Sequence, residues 1–485
     1  MTPHTLARSN AERSTANIQR RGRALAPIAT LLTLALGAAE IHVAPTGDDS
    51  NPGTALAPVA TLQTARDLAR EVPTGQPRRL VLHDGSYPNA RLLLGPEDSG
   101  LQIEAAPGAR PRLLGGQRLS GWQAEEDGLW SAPLPALPDR QAGPGAAQAI
   151  RQWEIRALVV DGDLMPRARY PAEGALEHLT RFDVPWMSST GGGWQRRPTE
   201  DELTTLQYRP GDLGPWLEPE NVEITVYHMW DESCVGVASH DPAGQLLRLA
   251  PPAGHPPGAF GVRKYVLWNL PEGLTRPGQW YHDRPRNRVV YRPRPGEDLN
   301  EVEILVPTTS TILELRGRAN QPVREVQVRG LEFSCTTVPL RAGGFAANAY
   351  PGAIELEHAT GCQFVGLVVR GVAGHGIKGG RDVTDTRVAA CEVTQCGAGG
   401  VYVGGLRSII EDNHIHGIGR QYPSAIGIYR GGRDCTVRHN EVHDCTYSAI
   451  NYGGTGNVIE ANLIYDCMKV LHDGAAIYML SLIHI

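Results

Sequence analysis

Three stretches near the C-terminal end of the chain decide its fold: SIIEDNHIHGI (408–418), CTVRHNEVHDC (435–445) and NVIEANLIYDC (457–467). Two earlier stretches, CQFVGLVVRGV (362–372) and TRVAACEVTQC (386–396), superimpose on them. One column of equivalent positions, with steps of 24, 22, 27 and 22 residues, holds Val369, Val393, Ile415, Val442 and Ile464. Alternating apolar and polar residues, repeated at this period, are typical of a solenoid built from strands. The sequence therefore predicts an all-β fold, a right-handed parallel β-helix.

Two further columns predict ladders of identical side chains, because neighbouring coils of a β-helix stack about 4.8 Å apart. An inward amide ladder at a turn is expected from the column that holds Asn413, Asn440 and Asn462. Buried apolar rungs are expected from the column that holds Cys396, Cys445 and Cys467. Disulfides between stacked cysteines are the alternative, although stacked rungs need not have bonding geometry.

The coils lengthen twice at the same corner, through residues 419–423 and 468–472. Insertions in solenoids collect on one face, which is often the binding face. Next to this corner, an outward column holds Lys378, Tyr402, Tyr429, Asn451 and Tyr478. Its aromatic rings are expected to form a platform for the apolar faces of sugar rings. The alternative is that another part of the chain covers these tyrosines.

Before the repeats, the sequence pattern divides the chain into three parts. Arginines followed by an apolar run predict a signal peptide over residues 1–39, with an unprocessed anchor or leader as the alternative. Residues 40–120 read as a cap and the first coils, with a short helix after Thr61 that covers the open end of the solenoid. Residues 121–306 do not repeat, and they predict an inserted mainly-β domain with a hairpin at Asp161-Gly162. The β-helix repeats then occupy residues 307–480.

The composition argues against two classes of function, nucleic-acid binding and membrane association. The 485 residues include 56 Gly and 37 Pro, and the net charge is −6 without a basic run. The electrostatic footprint of a nucleic-acid binder is therefore missing. No stretch after the leader reads as transmembrane, so no membrane association is expected after signal cleavage. The expected location is secreted, periplasmic or at the cell surface, and the full-length protein is expected to be a monomer.

Several motifs resemble a known class. IHVAPTGDDSNPGT (41–54) with PVATLQTA (58–65) is similar to the start of secreted β-helix proteins of the pectin-lyase-like superfamily. LVVDGDLMPRARYP (158–171), WYHD (280–283) and HDGAAIY (472–478) resemble the β-helix glycoside hydrolases around glycoside hydrolase family 141. A β-xylosidase family with an inserted β domain is also similar. The resemblance covers nearly the whole chain after the leader. It implies a glycoside hydrolase that acts on a polysaccharide or oligosaccharide with a pair of carboxylates.

Asp473 is the candidate catalytic carboxylate. It matches the Asp of the family's Asp-Gly-Gly-Ala-Ile-Tyr-like motif, although Ala475 replaces the second Gly. The alternative role is a turn Asp that caps the start of a strand. The candidate substrate-binding residues around it are Tyr402, Tyr429, Arg430, Tyr452, His472 and Tyr478.

No second acid stands out near Asp473. Asp444 and Asp466 stack one coil apart but precede cysteine rungs, and we interpret them as turn residues, like His416 and His443. The partner carboxylate is expected beyond residue 485. Residues 481–485 (SLIHI) resemble translated adapter sequence, so a non-native tail on a truncated protein is expected there, with a true short terminus as the alternative. Such a chain is expected to be prone to aggregation and inactive as a glycosidase.

Two other functions stay open at this point. A polysaccharide lyase needs an acidic sugar and a Lys or Arg base, usually with Ca²⁺ held by clustered acids. A non-catalytic carbohydrate-binding surface protein would use the tyrosine column equally well. The repeats hold no cluster of outward acids and few lysines, and no Cys-x-x-Cys pair is present. The sequence therefore predicts no cofactor and no metal site.

Overall fold

The computed structural model describes residues 38–73, 75–135, 155–187 and 192–479, with only the backbone of Arg430. Most of the predicted signal peptide and the whole predicted tail over 481–485 lie outside the described residues. Within them the chain winds into a solenoid of three parallel sheets, which we name sheets A, B and C. None of the described helices combines the length and hydropathy that crossing a bilayer requires.

Each complete coil contributes one strand to each sheet, and neighbouring strands in a sheet come from neighbouring coils. Ala39–Val43, before the first complete coil, adds a ninth strand to sheet A. Sheet A comprises Ala39–Val43, Arg78–Leu82, Gln102–Ala105, Gln327–Arg329, Gln363–Val365, Arg387–Ala389, Ile409–Glu411, Thr436–Arg438 and Val458–Glu460. Sheet B comprises Gly85–Tyr87, Pro111–Leu114, Glu332–Thr336, Val368–Val372, Glu392–Cys396, His414–Ile418, Glu441–Cys445 and Leu463–Ile464. Sheet C comprises Leu92–Leu94, Leu313–Arg316, Gly352–Glu357, His375–Gly379, Val401–Val403, Ile428–Arg433, Ile450–Gly453 and Ile477–Met479.

The predicted apolar columns are rungs of the core. Val369 pairs with Val393, Val393 with Ile415 and Ile415 with Val442, all in register. These side chains are fully buried. Because side chains alternate across a strand, every second residue of sheet B enters this core and the residues between them face outward. The parallel β-helix prediction is confirmed.

The strands of sheet B bend at one residue per coil, and that residue has a positive φ. The column has φ values between 48° and 63°, and it holds Cys335, Gly371, Gln395, Gly417, Asp444 and Asp466. Gly, Asn and Asp adopt this left-handed conformation at lower cost than other residues. Asp444 therefore lies at a bend inside strand Glu441–Cys445, and Asp466 lies at the equivalent bend one coil later; for Asp444, the interpretation as a turn residue outside the strands is wrong.

The asparagine ladder is confirmed bond by bond. The side-chain oxygen of Asn440 accepts from the backbone N–H of Asn413 (3.1 Å) and from its side-chain amide (2.9 Å). The Asn440 amide donates in turn to the Ile410 carbonyl (3.0 Å) and to the Asn462 side chain (2.9 Å). The cysteine column carries no disulfide, and all eight cysteines of the chain are free. The disulfide alternative is therefore wrong.

The helix Leu62–Glu71 caps the first coil. The Thr61 side chain accepts from the backbone N–H of Thr64 (3.2 Å), which satisfies one of the free donors at the helix start. Leu62, Ala65 and Ala69 are buried against the solenoid core. The predicted capping helix is confirmed.

The inserted β domain leaves the solenoid between sheet B and sheet C of the second coil. Strand Gly116–Arg118 runs antiparallel to Ile304–Pro307, and this pair joins the insertion to the coil. Val159–Val160 and Asp163–Leu164 form a hairpin on the same small sheet, with Asp161 and Gly162 at positive φ as the sequence predicts. The chain then returns at Leu313–Arg316, which pairs with Leu92–Leu94 of the first coil.

Two larger antiparallel sheets make up the body of the insertion. One has seven strands: Arg169–Tyr170, Leu176–Glu177, Thr205–Gln207, Glu223–Tyr227, Glu232–Asp241, Leu246–Ala250 and Lys264–Trp268. The other has four: Gln123–Ala124, Trp130–Pro133, Trp280–Asp283 and Arg288–Tyr291. A short helix, Glu200–Thr204, has Thr199 as its N-cap. Two minor pairings on the solenoid involve Val323–Arg324, Ala359–Thr360 and Gly405–Leu406.

A buried ionic cluster lies inside the insertion. Glu223 is fully buried and lies 2.9 Å from Arg156, 2.8 Å from Arg167 and 2.5 Å from Arg284. Burial alone would raise the pKa of Glu223, but the three guanidinium charges outweigh it and hold the pKa well below its usual value. One carboxylate faces three cations, so this interior carries a net positive charge.

Candidate functional site

The two corner insertions fold in the same way. In the first, Gln421 and Tyr422 both donate their backbone N–H to the carbonyl of Gly397 (3.0 and 2.9 Å). In the second, Val470 and Leu471 donate to the carbonyl of Thr446 in the same pattern (2.9 and 3.2 Å). The insertions therefore project at the same corner one above the other, and Asp473 follows the second.

Part of the tyrosine column is covered. The Tyr402 side chain is only 2% exposed, and its hydroxyl donates to the Ala346 carbonyl (2.5 Å) and accepts from the Ile426 N–H (3.0 Å). Lys378 in the same column donates to the carbonyls of Asn348 and Tyr350. The segment around 345–350 therefore lies over the start of the column. The expectation that Tyr402 faces solvent is wrong, and the alternative that another segment covers it is confirmed for this residue.

The rest of the column lines a corner that is rich in aromatic side chains. Tyr429 is half-buried, 5.1 Å from the Tyr402 ring and 6.1 Å from the Phe345 ring between centroids. Tyr447 is fully buried beside Phe345 at 6.4 Å. Trp230, from the inserted domain, packs against the same apolar cluster. The corner is thus formed jointly by the solenoid and the insertion.

Asp473 lies at the mouth of this corner. Its side chain is exposed, and its backbone carbonyl accepts a hydrogen bond from the Tyr447 hydroxyl. His472 is exposed, whereas Tyr452 and Tyr478 are half-buried. Arg430 lies in strand Ile428–Arg433, and its side chain lies outside the described residues. Tyr402 is too deeply buried to contact a ligand directly. The other five candidate binding residues remain predictions.

The structure adds a second carboxylate that sequence reasoning missed. Burial raises the pKa of Tyr447 well above its usual value, and the charges of Asp473 and Asp231 add to this effect. Both carboxylates therefore lie within electrostatic reach of one hydroxyl. Asp231 is buried beside the Nε2 of His255 (3.3 Å), and its Oδ1 has no hydrogen-bond partner among the described residues.

Around Asp231 the inserted domain carries a cluster of rings, each half-buried: Trp186, Trp194, Trp230, His255 and Phe260. Trp230 and Phe260 have centroids 4.3 Å apart, and Trp186 and Trp194 meet edge to face at 4.8 Å. Phe260 has a φ of 58°, a conformation that costs energy for an aromatic residue. This aromatic cluster continues the apolar corner through Trp230.

Next to Asp231, Glu232 joins the insertion to the solenoid. It is fully buried and accepts from the backbone N–H (2.8 Å) and the hydroxyl (3.1 Å) of Ser424. Burial and the charge of Asp231 raise the pKa of Glu232 to about 8, despite the opposing effect of the Ser424 bonds. Glu232 is thus predominantly protonated at neutral pH, but it has no access to solvent.

A cavity of about 340 Å³ lies at the first corner insertion. Its described lining holds four arginines and no acidic side chain: Arg167, Arg169, Arg276 and Arg420. Trp268, Gln279 and Tyr422 complete its polar and aromatic wall. The buried Arg167 also belongs to the Glu223 cluster, and its Nε has no hydrogen-bond partner within the described part of the chain. The cavity wall is therefore rich in guanidinium groups, of which Arg167 is paired with Glu223 and Arg276 with Glu173.

Comparisons with known proteins agree with the fold. A family model described as a right-handed β-helix region matches residues 351–482. No curated protein matches the sequence. A solved structure titled "Glycoside hydrolase" is similar at a TM-score of 0.72 and 21% identity, covering 91% of this chain and 86% of that one. A second, titled as XylC in complex with xylose, is similar at a TM-score of 0.50 and 17% identity, covering 89% of this chain and 62% of that one. The protein therefore shares a right-handed parallel β-helix fold with these two structures.

Proposed function

We propose that the chain is a carbohydrate-active protein that hydrolyses glycosidic bonds of a polysaccharide or oligosaccharide. The observation that carries this proposal is that Asp473 follows the corner insertion beside Tyr447, while the buried Asp231 comes directly after Trp230 of the same aromatic corner. Aromatic rings suit the apolar faces of sugars, and two carboxyl groups are what glycoside hydrolysis requires. The structural similarity to a protein titled "Glycoside hydrolase" supports the same class.

In this mechanism one carboxyl group protonates the glycosidic oxygen while the other attacks the anomeric carbon or activates a water molecule. We assign one of these roles to Asp473, because it is exposed and therefore open to a ligand from solvent. Asp231 is the candidate partner within the described chain. His255 touches Asp231 and orients its carboxyl group.

The test is sugar release from a panel of polysaccharides and aryl glycosides by the purified chain. Asp473→Asn is expected to lower the rate by about 100-fold or more, the usual scale for loss of a general acid or base. The matched control is Asp466→Asn, a turn position where Asn tolerates the φ of 48°. Equal activity of the Asp473 variant and the control would contradict the assignment. Activity that survives in Asp231→Asn would place the second carboxylate elsewhere.

The arginine-lined cavity favours a second candidate, polysaccharide lyase action on an acidic sugar. In such a reaction a base removes the C5 proton and a C4–C5 double bond forms as the C4–O bond breaks. The leaving oxygen keeps the electron pair of that bond and takes up a proton, so that it becomes the hydroxyl at the new reducing end of the released chain. The four arginines of the cavity would neutralise the sugar carboxylate that makes this proton acidic. Ultraviolet absorbance of an unsaturated product distinguishes this reaction from hydrolysis, which creates no double bond.

A third candidate is glycan binding without catalysis, which the half-buried rings around Asp231 favour. Affinity electrophoresis separates it from both enzymes. Binding that Asp473→Asn leaves unchanged, with no product from any polysaccharide, would support a binding protein. We further propose that the chain is exported through residues 1–39 and acts as a monomer. N-terminal sequencing of the secreted protein and light scattering test these two points.

A further inference from the structure

Three histidines meet on the outer face of sheet B, on the strands His414–Ile418 and Glu441–Cys445. His416 and His443 are register partners on neighbouring coils, and His414 lies two residues before His416 on the same face. One ring nitrogen of each histidine lies within 4.8 Å of the others. The closest pair is His414 Nε2 and His443 Nε2, 2.9 Å apart. These residues lie within strands, so the interpretation of His416 and His443 as turn residues is wrong.

The surrounding contacts orient the rings. His443 Nδ1 lies 2.8 Å from the Asp444 carboxylate, which favours a proton on Nδ1 and leaves the Nε2 lone pair directed at the cluster. A carboxylate in this position is the usual outer partner of a metal-bound imidazole. His416 stacks on His443 with centroids 4.9 Å apart, and Tyr465 stacks on the other face of His443 at 4.5 Å.

One nitrogen in the cluster has no partner. His416 Nε2 is inaccessible to solvent and makes no hydrogen bond among the described residues, and the Glu392 carboxylate lies 3.6 Å from it. The cluster thus places three imidazole rings and a carboxylate together, with one imidazole nitrogen left without a hydrogen-bond partner among the described residues.

We propose that His414, His416 and His443 bind a zinc ion, with Glu392 or water as the fourth ligand. Zinc binds imidazole nitrogens at about 2.0–2.1 Å in a tetrahedral arrangement, which separates two such nitrogens by about 3.3 Å. One pair of nitrogens, 2.9 Å apart, is already near that value, and the ligand atoms of all three histidines lie within 4.8 Å of one another. Three imidazoles favour zinc and its transition-metal neighbours over Ca²⁺ or Mg²⁺, which prefer oxygen ligands. The proposal replaces the expectation of no metal site.

Such an ion would connect two coils and reach the candidate active corner. His414 and His416 belong to one coil and His443 to the next. Asp444, which holds His443, also binds Lys469 of the second corner insertion. A zinc ion on His443 therefore acts on the loop that leads to Asp473, as a positioning element rather than a catalytic one.

The first experiment titrates the untagged full chain, stripped with a chelator, with Zn²⁺ alone in a calorimeter. We expect saturable binding and a higher midpoint of thermal unfolding when zinc is present. His416→Gln and His443→Gln should each weaken this binding by at least 100-fold. The matched control is His439→Gln, because His439 is exposed and lies at a corner outside the cluster. Affinity unchanged in both cluster variants, or no saturable binding by the wild-type chain, would overturn the proposal.

A spectroscopic measurement on the wild-type chain covers the case in which a variant fails to fold. Co²⁺ in a four-coordinate site gives intense visible bands, whereas a six-coordinate surface site gives weak ones. We expect the intense spectrum and its loss on addition of Zn²⁺. A weak spectrum, or an intense one that Zn²⁺ leaves unchanged, would contradict the proposed coordination. Neither readout depends on glycosidase activity, so failure here and failure of the proposed function are distinguishable.

Discussion

Ser424 donates both its backbone N–H and its hydroxyl to the carboxyl group of Glu232, and these two bonds join the first corner insertion to the inserted domain. The contact is fully buried on both sides. An acid is an unusual choice for such a position, because burial penalises its charged form. The contact therefore depends on the protonation of Glu232.

The free energy of unfolding should fall as the pH rises, through Glu232. Its pKa is about 8 in the folded chain against 4.5 for an ordinary Glu, so the folded state holds a proton that the unfolded state releases between these values. The stabilising contribution is complete below about pH 4.5 and is lost as the pH rises through 8. Glu232→Gln should flatten this slope and raise the midpoint of thermal unfolding near pH 8. Thermal melting curves of the wild type and the variant from pH 5 to 9 measure both effects.

The matched control for that experiment is Glu177→Gln, a change of the same chemistry at a partly exposed ion pair with Arg263. Its pH profile should follow the wild type. If the stability of Glu232→Gln changes with pH in the same way as that of the wild type and of Glu177→Gln, the Glu232 carboxyl group is not the source of the pH dependence.

Loss of Glu223 should destabilise the chain strongly. Glu223→Gln leaves Arg156, Arg167 and Arg284 without their shared counter-charge in a buried place. Breaking a buried ion pair by removing one partner costs about 3–5 kcal/mol. Chemical denaturation should show a loss of this size, whereas Glu177→Gln should cost under about 1 kcal/mol. A Glu223 variant as stable as the wild type would mean that water reaches the cluster.

Removal of one rung of the asparagine ladder should cost more than one hydrogen bond. Asn440→Ala leaves the buried N–H of Asn413 and the carbonyl of Ile410 without their side-chain partner. Each unsatisfied buried group costs about 1–3 kcal/mol. The control is Asn300→Ala, an exposed turn residue whose side chain, among the described residues, bonds only Asp298. Equal stability of the two variants would show that the ladder adds nothing beyond packing.

Trp230→Ala should weaken glycan binding, under the proposed function. Trp230 connects the ring cluster of the insertion to the apolar corner near Tyr447. Replacement of one stacking ring is expected to weaken binding by 10-fold or more, with Asp473 still in place. Trp216→Ala is the control, because Trp216 is 36% exposed and contacts Tyr170 away from the corner. If Trp230→Ala binds glycan as tightly as Trp216→Ala, the ring cluster is not part of the binding surface.

The solenoid was predictable from sequence because its contacts repeat. A residue such as Ile415 touches its equivalents one coil before and after, so the spacing in the sequence is the spacing in the fold. The helix after Thr61 and the Asp161-Gly162 hairpin follow local rules of capping and turn conformation. All these features depend on neighbours in sequence or on a fixed period.

The candidate site was only partly predictable because its contacts do not repeat. Asp473 stood out through its match to the family-like motif, whereas Asp231 and His255 lie in the insertion, where no period relates them to the solenoid. Tyr402 has the outward position that alternation predicts, yet the chain around Ala346 folds over it. The column of His416 and His443 was visible in the sequence, but the contribution of His414 across the strand depends on the distances between ring nitrogens.

The place of the insertion sets the order in which the molecule assembles. The N-terminal cap and first coil are synthesised first, but strand Leu92–Leu94 gains its sheet C neighbour only when Leu313–Arg316 emerges. Until then the nascent solenoid keeps an open edge, and a long intervening loop has to close before the second coil is complete. Strands can therefore join the solenoid in chain order only as far as Leu114. The next strand of the solenoid is added only after the inserted domain has emerged.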